Sequence, residues 1–208
     1  MPVKDHTKKF ETNFRSEDLC LSCGLCCNGS IFSVIPLDNT LKRQLPLHYL
    51  ADKKHQLLQL PCTHYVENKC GIYNTPEKPH ACSQFRCRLL FQLEDGKSSV
   101  KESLDTIKEA KAQIEEIQTL LRNLDNYDEN TSLELNVNAF QKQQPLGLDS
   151  RLQLALVLLR HRVLKLYFRK YFGVFEKKLQ GSSVLRNILL DLNLRFFRSL
   201  IFVVNKSA

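Results

Sequence analysis

The chain has no cysteine after residue 87, no two glycines at G-x-G spacing and no stretch of eighteen uncharged apolar residues. Each absence removes a class of function. A bilayer-spanning helix needs about 20 consecutive apolar residues, and the longest apolar runs, such as the one ending at Leu159, fall far short. The seven glycines stand apart along the chain, so there is no dinucleotide fingerprint, no ordinary Rossmann methyl-donor fingerprint and no phosphate loop. A radical-type C-x3-C-x2-C run, a nucleophile elbow and a zincin helix are absent too. Internal repeats and low-complexity segments are missing. The first eleven residues are polar and lysine-rich and lack the apolar core of a secretory signal. The expectation is therefore a cytoplasmic, bacterial-type protein without a transmembrane segment.

What is present is concentrated. All eight cysteines, Cys20, Cys23, Cys26, Cys27, Cys62, Cys70, Cys82 and Cys87, fall in the first 87 of 208 residues. A secreted disulfide scaffold would spread them through a small stapled fold, so in a reducing compartment thiolate–metal bonds explain them better. Charge is equally uneven. Residues 1–150 carry 18 Lys/Arg against 20 Asp/Glu, whereas residues 151–208 carry 12 against 2. The net +8 of the chain thus resides in its last 58 residues. Such asymmetry fits an anionic partner for residues 151–208, nucleic acid or an anionic membrane surface. It equally fits a helix bundle that keeps its solvated faces basic, with aromatics such as Tyr167, Phe168, Tyr171 and Phe172 in the core.

The patterning predicts a mainly α protein. A small, irregular, metal-stabilised cysteine-rich domain over 1–95 precedes a helical bundle over 98–208. Loops and short turns are expected around the cysteines. One helix is expected over 37–58, from the spacing of Leu41, Leu45, Leu50, Leu57 and Leu58, with Pro46 kinking it. Residues 94–97, Glu-Asp-Gly-Lys, read as a linker. Ser99 followed by Glu102 is a capping box. Val100, Ile107, Ile114 and Leu121, with Leu104, Ala110, Ile117 and Leu124 between them, predict an amphipathic helix over 98–125. Leu133, Leu135, Val137 and Ala139 alternate, as in a short strand or extended loop. A second helix is expected from Asp149 or Ser150 to about Leu179. It has two apolar stripes, Leu152, Leu156, Leu159, Val163 and Leu166, and Leu154, Leu158, Leu164, Phe168 and Phe175. A third apolar helix is expected over 184–204, so that the middle helix forms the centre of a three-helix bundle.

The most informative stretch is Cys20-x2-Cys23-Gly24-x-Cys26-Cys27. Two-residue gaps let successive thiolates turn onto one metal centre, and three thiolates at C-x2-C-x2-C are what a four-iron cluster takes from one loop. A single zinc uses one such pair per loop and finds the other elsewhere, so this run leans towards iron. Adjacent side chains in an extended chain point opposite ways, so one of Cys26 and Cys27 is expected to serve the first site and the other to serve a second site or stay reactive, and the eight thiols to form two four-cysteine sites or one cluster with spare thiols. Cys62, Cys70, Cys82 and Cys87 supply four further thiolates. The candidate metal ligands are thus all eight cysteines, and the cofactor an iron–sulfur cluster or zinc. His64 and His80, near Cys62 and Cys82, are lesser candidates. Tyr73 and Phe85 are expected to shield the metal, and Arg86 and Arg88 either to offset thiolate charge or to face solvent.

These residues resemble the zinc- or iron-chelating cysteine-cluster family called YkgJ-like. Its C-x2-C-G-x-C-C opening is matched by Cys20 to Cys27 with Gly24, and its apolar strand-like segment by residues 31–37. Its proline–cysteine, polar hairpin and C-x-I-Y follow as Pro61-Cys62 and Cys70-Gly71-Ile72-Tyr73. Its R-P-x-x-C-x-x-F-x-C close is matched by Pro79, Cys82, Phe85 and Cys87, with Lys78 in place of the arginine and two extra residues before it. The resemblance covers about residues 18–90 and implies metal binding. Some relatives are flagellin lysine N-methylases, so it also implies a protein-lysine N-methylase-like enzyme as an alternative to an accessory, redox or structural role. The missing methyl-donor fingerprint argues against that alternative.

Overall fold

The computed structural model describes residues 14–37, 50–52, 57–123, 127–142 and 147–174. They belong to one compact unit, residues 1–175. The basic segment beyond it, with the helix expected over 184–204, lies outside the described residues.

The cysteine-rich part opens with a helix, α1 (Ser16–Cys23). At its start the Arg15 N–H donates to Asp18 Oδ2 at 2.8 Å, and the Asp18 N–H donates to the Arg15 carbonyl at 2.9 Å. Gly24 ends it at φ 67°, a left-handed C-cap that costs glycine no Cβ strain. Cys20 and Cys23 therefore sit one turn apart on a helix, not on the loop expected for them. Their three-residue spacing puts both on one helix face. Beyond Gly24 the chain turns and buries Leu25 and Ile31.

Three short strands follow, β1 (Val34–Pro36), β2 (Leu50–Asp52) and β3 (Leu57–Gln59), in the antiparallel order β1-β3-β2. Ile35 faces Leu58 across the β1–β3 ladder. The helix expected over 37–58 is thus not formed at residues 50–52 and 57–59; the remaining interior positions of that stretch lie outside the described residues. Leu58 is buried through sheet pairing, and the leucine spacing carried no information that could separate this from one face of a helix. A hairpin comes next, β4 (Tyr65–Val66) with β5 (Lys69–Cys70). Its two-residue turn, Glu67 and Asn68 at φ 49° and 61°, has the left-handed geometry that tight hairpins require. Two short helices complete this part, α2 (His80–Gln84) and α3 (Arg88–Glu94).

The helical part matches its main seam closely. In α4 (Val100–Arg122) the Ser99 Oγ accepts from the Glu102 N–H at 3.2 Å, and Glu102 Oε2 accepts from the Ser99 N–H at 2.8 Å. Val100, Ile107, Ala110, Ile114, Ile117 and Leu121 are buried, as the heptad spacing requires. The alternating stretch instead forms a helix, α5 (Leu133–Lys142). Its buried residues are Leu133, Asn136, Val137 and Phe140, a helical period hidden by a polar member. Asn136 is satisfied internally: Nδ2 donates to the Asp128 and Thr131 carbonyls, and Oδ1 accepts from the Asp128 N–H. Helix α6 (Leu148–Phe172) stops at Gly173, φ 68°, short of the expected end near Leu179. Val157, Leu164, Phe168 and Phe172 face inward, with Leu154 and Leu158 partly covered. The other expected stripe is outward: Leu152, Leu156, Leu159, Val163 and Leu166 are 39–59% exposed. The described bundle is therefore α4, α5 and α6.

The chain turns at Gly96, where a linker was expected, and the packing runs across that turn. Leu19, Leu25, Ile31, Leu89 and Leu90 share one core with the buried residues of α4–α6. Polar clasps reinforce the join. Lys111 Nζ donates to the Ser22 carbonyl at 2.9 Å, and Arg88 donates to the Arg169 and Lys170 carbonyls at the end of α6. Ser132 Oγ donates to Ser33 Oγ at 2.9 Å. Glu134 pairs with His161 at 3.2 Å and Lys165 at 2.7 Å, tying α5 to α6. Arg160 pairs with Glu116, so part of the basic face of α6 is balanced within the fold. Among the described residues no helix is long and apolar enough to cross a membrane.

Candidate metal centre

Different elements carry the eight cysteines to one place. Cys20 and Cys23 come from α1, and Cys26 and Cys27 from the turn that follows it. Cys62 is held beside Cys27 by a bond from its N–H to the Cys27 carbonyl, 2.8 Å. Cys70 lies on β5 opposite Tyr65, Cys82 within α2, and Cys87 at the N-cap of α3. All eight line a single cavity of 430 Å³, and all eight are free thiols. The walls between them are largely apolar, with Leu25, Ile31 and Phe32 among them, and among the described residues no histidine lines the cavity. His64 and His80 thus stand outside the lining. Among the described residues, no three thiol, imidazole or carboxylate groups converge on one point at the spacing of a single-ion site.

Burial dominates the electrostatics. It pushes the Cys23 thiol up to about 12 and the Cys26 thiol well above its ordinary value, and the neighbouring thiols push the same way for Cys26. Cys20, Cys62 and Cys87 are raised by burial as well. Cys27 and Cys70 share a hydrogen bond and behave as a pair. Cys27 is held as the donor thiol, raised, while Cys70, stabilised as the acceptor, is lowered to about 6.

Against this burial the backbone supplies donors. Amide N–H groups face sulfur from Leu25 towards Cys23, His64 towards Cys62, Ile72 towards Cys70 and Leu89 towards Cys87. In each case the donor is two residues after the cysteine. Such donors favour the thiolate and leave its sulfur free to bind a metal on the other side. Cations add to the effect: Lys78 and Arg86 lower Cys20, and Lys111 lowers Cys23.

The aromatic frame is specific. The Tyr73 hydroxyl hydrogen-bonds Cys20, and the Lys78 ammonium lies 3.5 Å from the Tyr73 ring centroid. Phe85 stacks edge-on against Phe32 at 5.0 Å and remains partly exposed. Arg86 pairs with Glu94 while its charge still acts on Cys20. Arg88 is committed to the end of α6. Sequence reasoning missed Tyr65 and Lys111. A Cβ on Gly24 would lie 2.2 Å from the Tyr65 hydroxyl, so the glycine in the cysteine run is the seat of that ring.

No model of a known family, no curated protein and no solved structure matches the chain in comparison. The likeness to YkgJ-like proteins rests on the motif residues themselves.

Proposed function

We propose that the chain is a metal–thiolate protein that holds an iron–sulfur cluster in its cysteine-lined cavity and serves as a redox or accessory factor. One observation carries this reading: eight cysteines, drawn from six separate places along the sequence, line one cavity. Burying eight thiols around one space without a ligand has no packing advantage over aliphatic side chains, whereas thiolates are the ligands soft metals select. The donor set supports the fit. Backbone N–H groups two residues after four of the cysteines face sulfur, the arrangement that tunes thiolate-bound iron. A reducing compartment such as the bacterial cytoplasm follows from the same chemistry.

The test is anaerobic purification of the full chain with iron, zinc and acid-labile sulfide measured together. The reading expects brown protein containing iron and sulfide in comparable amounts. Colourless protein with stoichiometric zinc and no sulfide would replace the cluster by zinc. Metal-free protein with eight reactive thiols would overturn the reading.

A further inference from the structure

Helix α6 has two apolar faces, and the described core uses one of them. Val157, Leu164, Phe168 and Phe172 are buried against the rest of the bundle. On the opposite side Leu148, Leu152, Leu156, Leu159, Val163 and Leu166 are exposed. Their steps of three and four residues form one continuous line, about 27 Å long from the helical rise. A helix that packs on one side carries polar residues on the other, so packing of the described residues gives no reason for this line. A contiguous exposed apolar patch marks an interaction surface.

Charge tells which kind of surface it is. Residues 151–175 contain six Lys/Arg and no Asp/Glu. Arg151, Arg162 and Arg169 are exposed and stand eleven and seven residues apart, steps that return to nearly the same angle on a helix. They form a basic line beside the leucines. The exposed Lys170, four residues past Leu166, ends the stripe. Arg160, paired with Glu116, takes the other edge. Apolar side chains bordered by cations suit a helix lying flat on an anionic bilayer, with leucines among the acyl chains and guanidinium groups at the lipid phosphates.

Other occupants fit less well. A second copy related by a two-fold axis would bring its own arginines against these, like charge against like. Residues 176–208 repeat the positive sign, with six Lys/Arg against two Asp/Glu. Nucleic acid would satisfy the cations and leave the leucines in water.

We propose that the outward face of α6 is a docking surface for an anionic lipid bilayer, on which the chain rests without α6 crossing it. The proposal is independent of the metal-binding reading.

The test is flotation of the full chain with vesicles of phosphatidylcholine alone and of phosphatidylcholine mixed equally with phosphatidylglycerol. Wild-type protein should float with the mixed vesicles and not with the neutral ones. Leu152→Ser/Leu159→Ser should weaken binding about tenfold or more, since two exposed leucines no longer enter the bilayer. Arg169→Gln/Lys170→Gln should weaken it about tenfold. Val66→Ser removes a similarly exposed apolar side chain from the β4–β5 hairpin and should change nothing. Circular dichroism checks that each variant keeps its helices. Binding that the leucine pair does not weaken would overturn the proposal, because the cations alone would then account for it. A wild-type chain that leaves the anionic vesicles unbound would overturn it too. In that case, a dimer broken by the leucine pair would give the face to a second copy, and uptake of duplex DNA would give the cations to nucleic acid. If the leucine variant fails to fold, amide exchange of the wild-type chain decides. Anionic vesicles should slow exchange within 148–170, and unchanged rates there would refute bilayer docking.

Discussion

Replacing Gly24 by alanine should separate the two walls of the cysteine cavity. Gly24 is at φ 67°, where an L side chain is strained by about 1–2 kcal/mol. Its new Cβ would lie 2.2 Å from the Tyr65 hydroxyl and 2.6 Å from two ring carbons. Real contacts never approach so closely, so Tyr65 must swing away and give up the half-buried packing of its ring. That adds about 1–2 kcal/mol, for a total of about 2–4 kcal/mol. Gly96 provides the control. It has nearly the same φ, 66°, but an added Cβ meets nothing within 4 Å, so Gly96→Ala should cost the strain alone. Urea unfolding of both variants, each metal-free, would measure the difference. In Gly24→Ala/Tyr65→Ala the penalty of the alanine should fall back to the Gly96 value. Equal costs for Gly24→Ala and Gly96→Ala would refute the argument that Tyr65 is seated on Gly24.

Further outcomes follow from buried and paired groups. The metal-free protein should lose stability in alkali: Cys23 is raised from 9.0 to about 12, so its contribution is full below pH 9 and lost as pH rises towards 12. That loss is about 4 kcal/mol for Cys23 alone, and denaturant midpoints between pH 8 and 11 would show it; a flat profile would mean that the thiol is not buried as described. Glu134 behaves oppositely. Its carboxyl is held down to about 2 by His161 and Lys165, so its contribution is present above pH 4.5 and fades as pH falls towards 2. After solvent screening Glu134→Gln should cost about 1 kcal/mol near neutrality, with the difference from wild type vanishing in acid. Asn136→Ala leaves the Asp128 N–H without its partner and should cost about 2–3 kcal/mol, measurable as a lower thermal midpoint.

Where the signal was a strict period with charged residues between, the sequence was legible. The α4 seam and its Ser99–Glu102 box are the clearest case. Legibility failed where one pattern fits two structures. Leu57 and Leu58 matched a helical spacing, yet they belong to β3, because pairing with β1 is a long-range event that local spacing does not encode. The alternation at 133–139 hid α5, since the buried set includes Asn136, whose partners lie up to eight residues away. Helix α6 ends at Gly173, a C-cap passed over because lysine and phenylalanine continue the pattern. At the site, the spacing marked out the thiols that line one cavity. It could not place Tyr65 over Gly24, nor bring Lys111 from α4 to the Ser22 carbonyl beside Cys23. Those contacts join residues dozens of positions apart.

The proposed centre requires that cysteine sulfur from the cavity hold the metal. X-ray absorption at the iron and zinc edges of the anaerobically purified full chain measures that directly. The account predicts a shell of sulfur at about 2.3 Å at each edge that carries metal, and iron–iron scattering where iron is present. A shell of nitrogen or oxygen at about 2.0–2.1 Å would contradict it, because it would mean that the metal sits on histidine or carboxylate and the cysteine-lined cavity has another purpose.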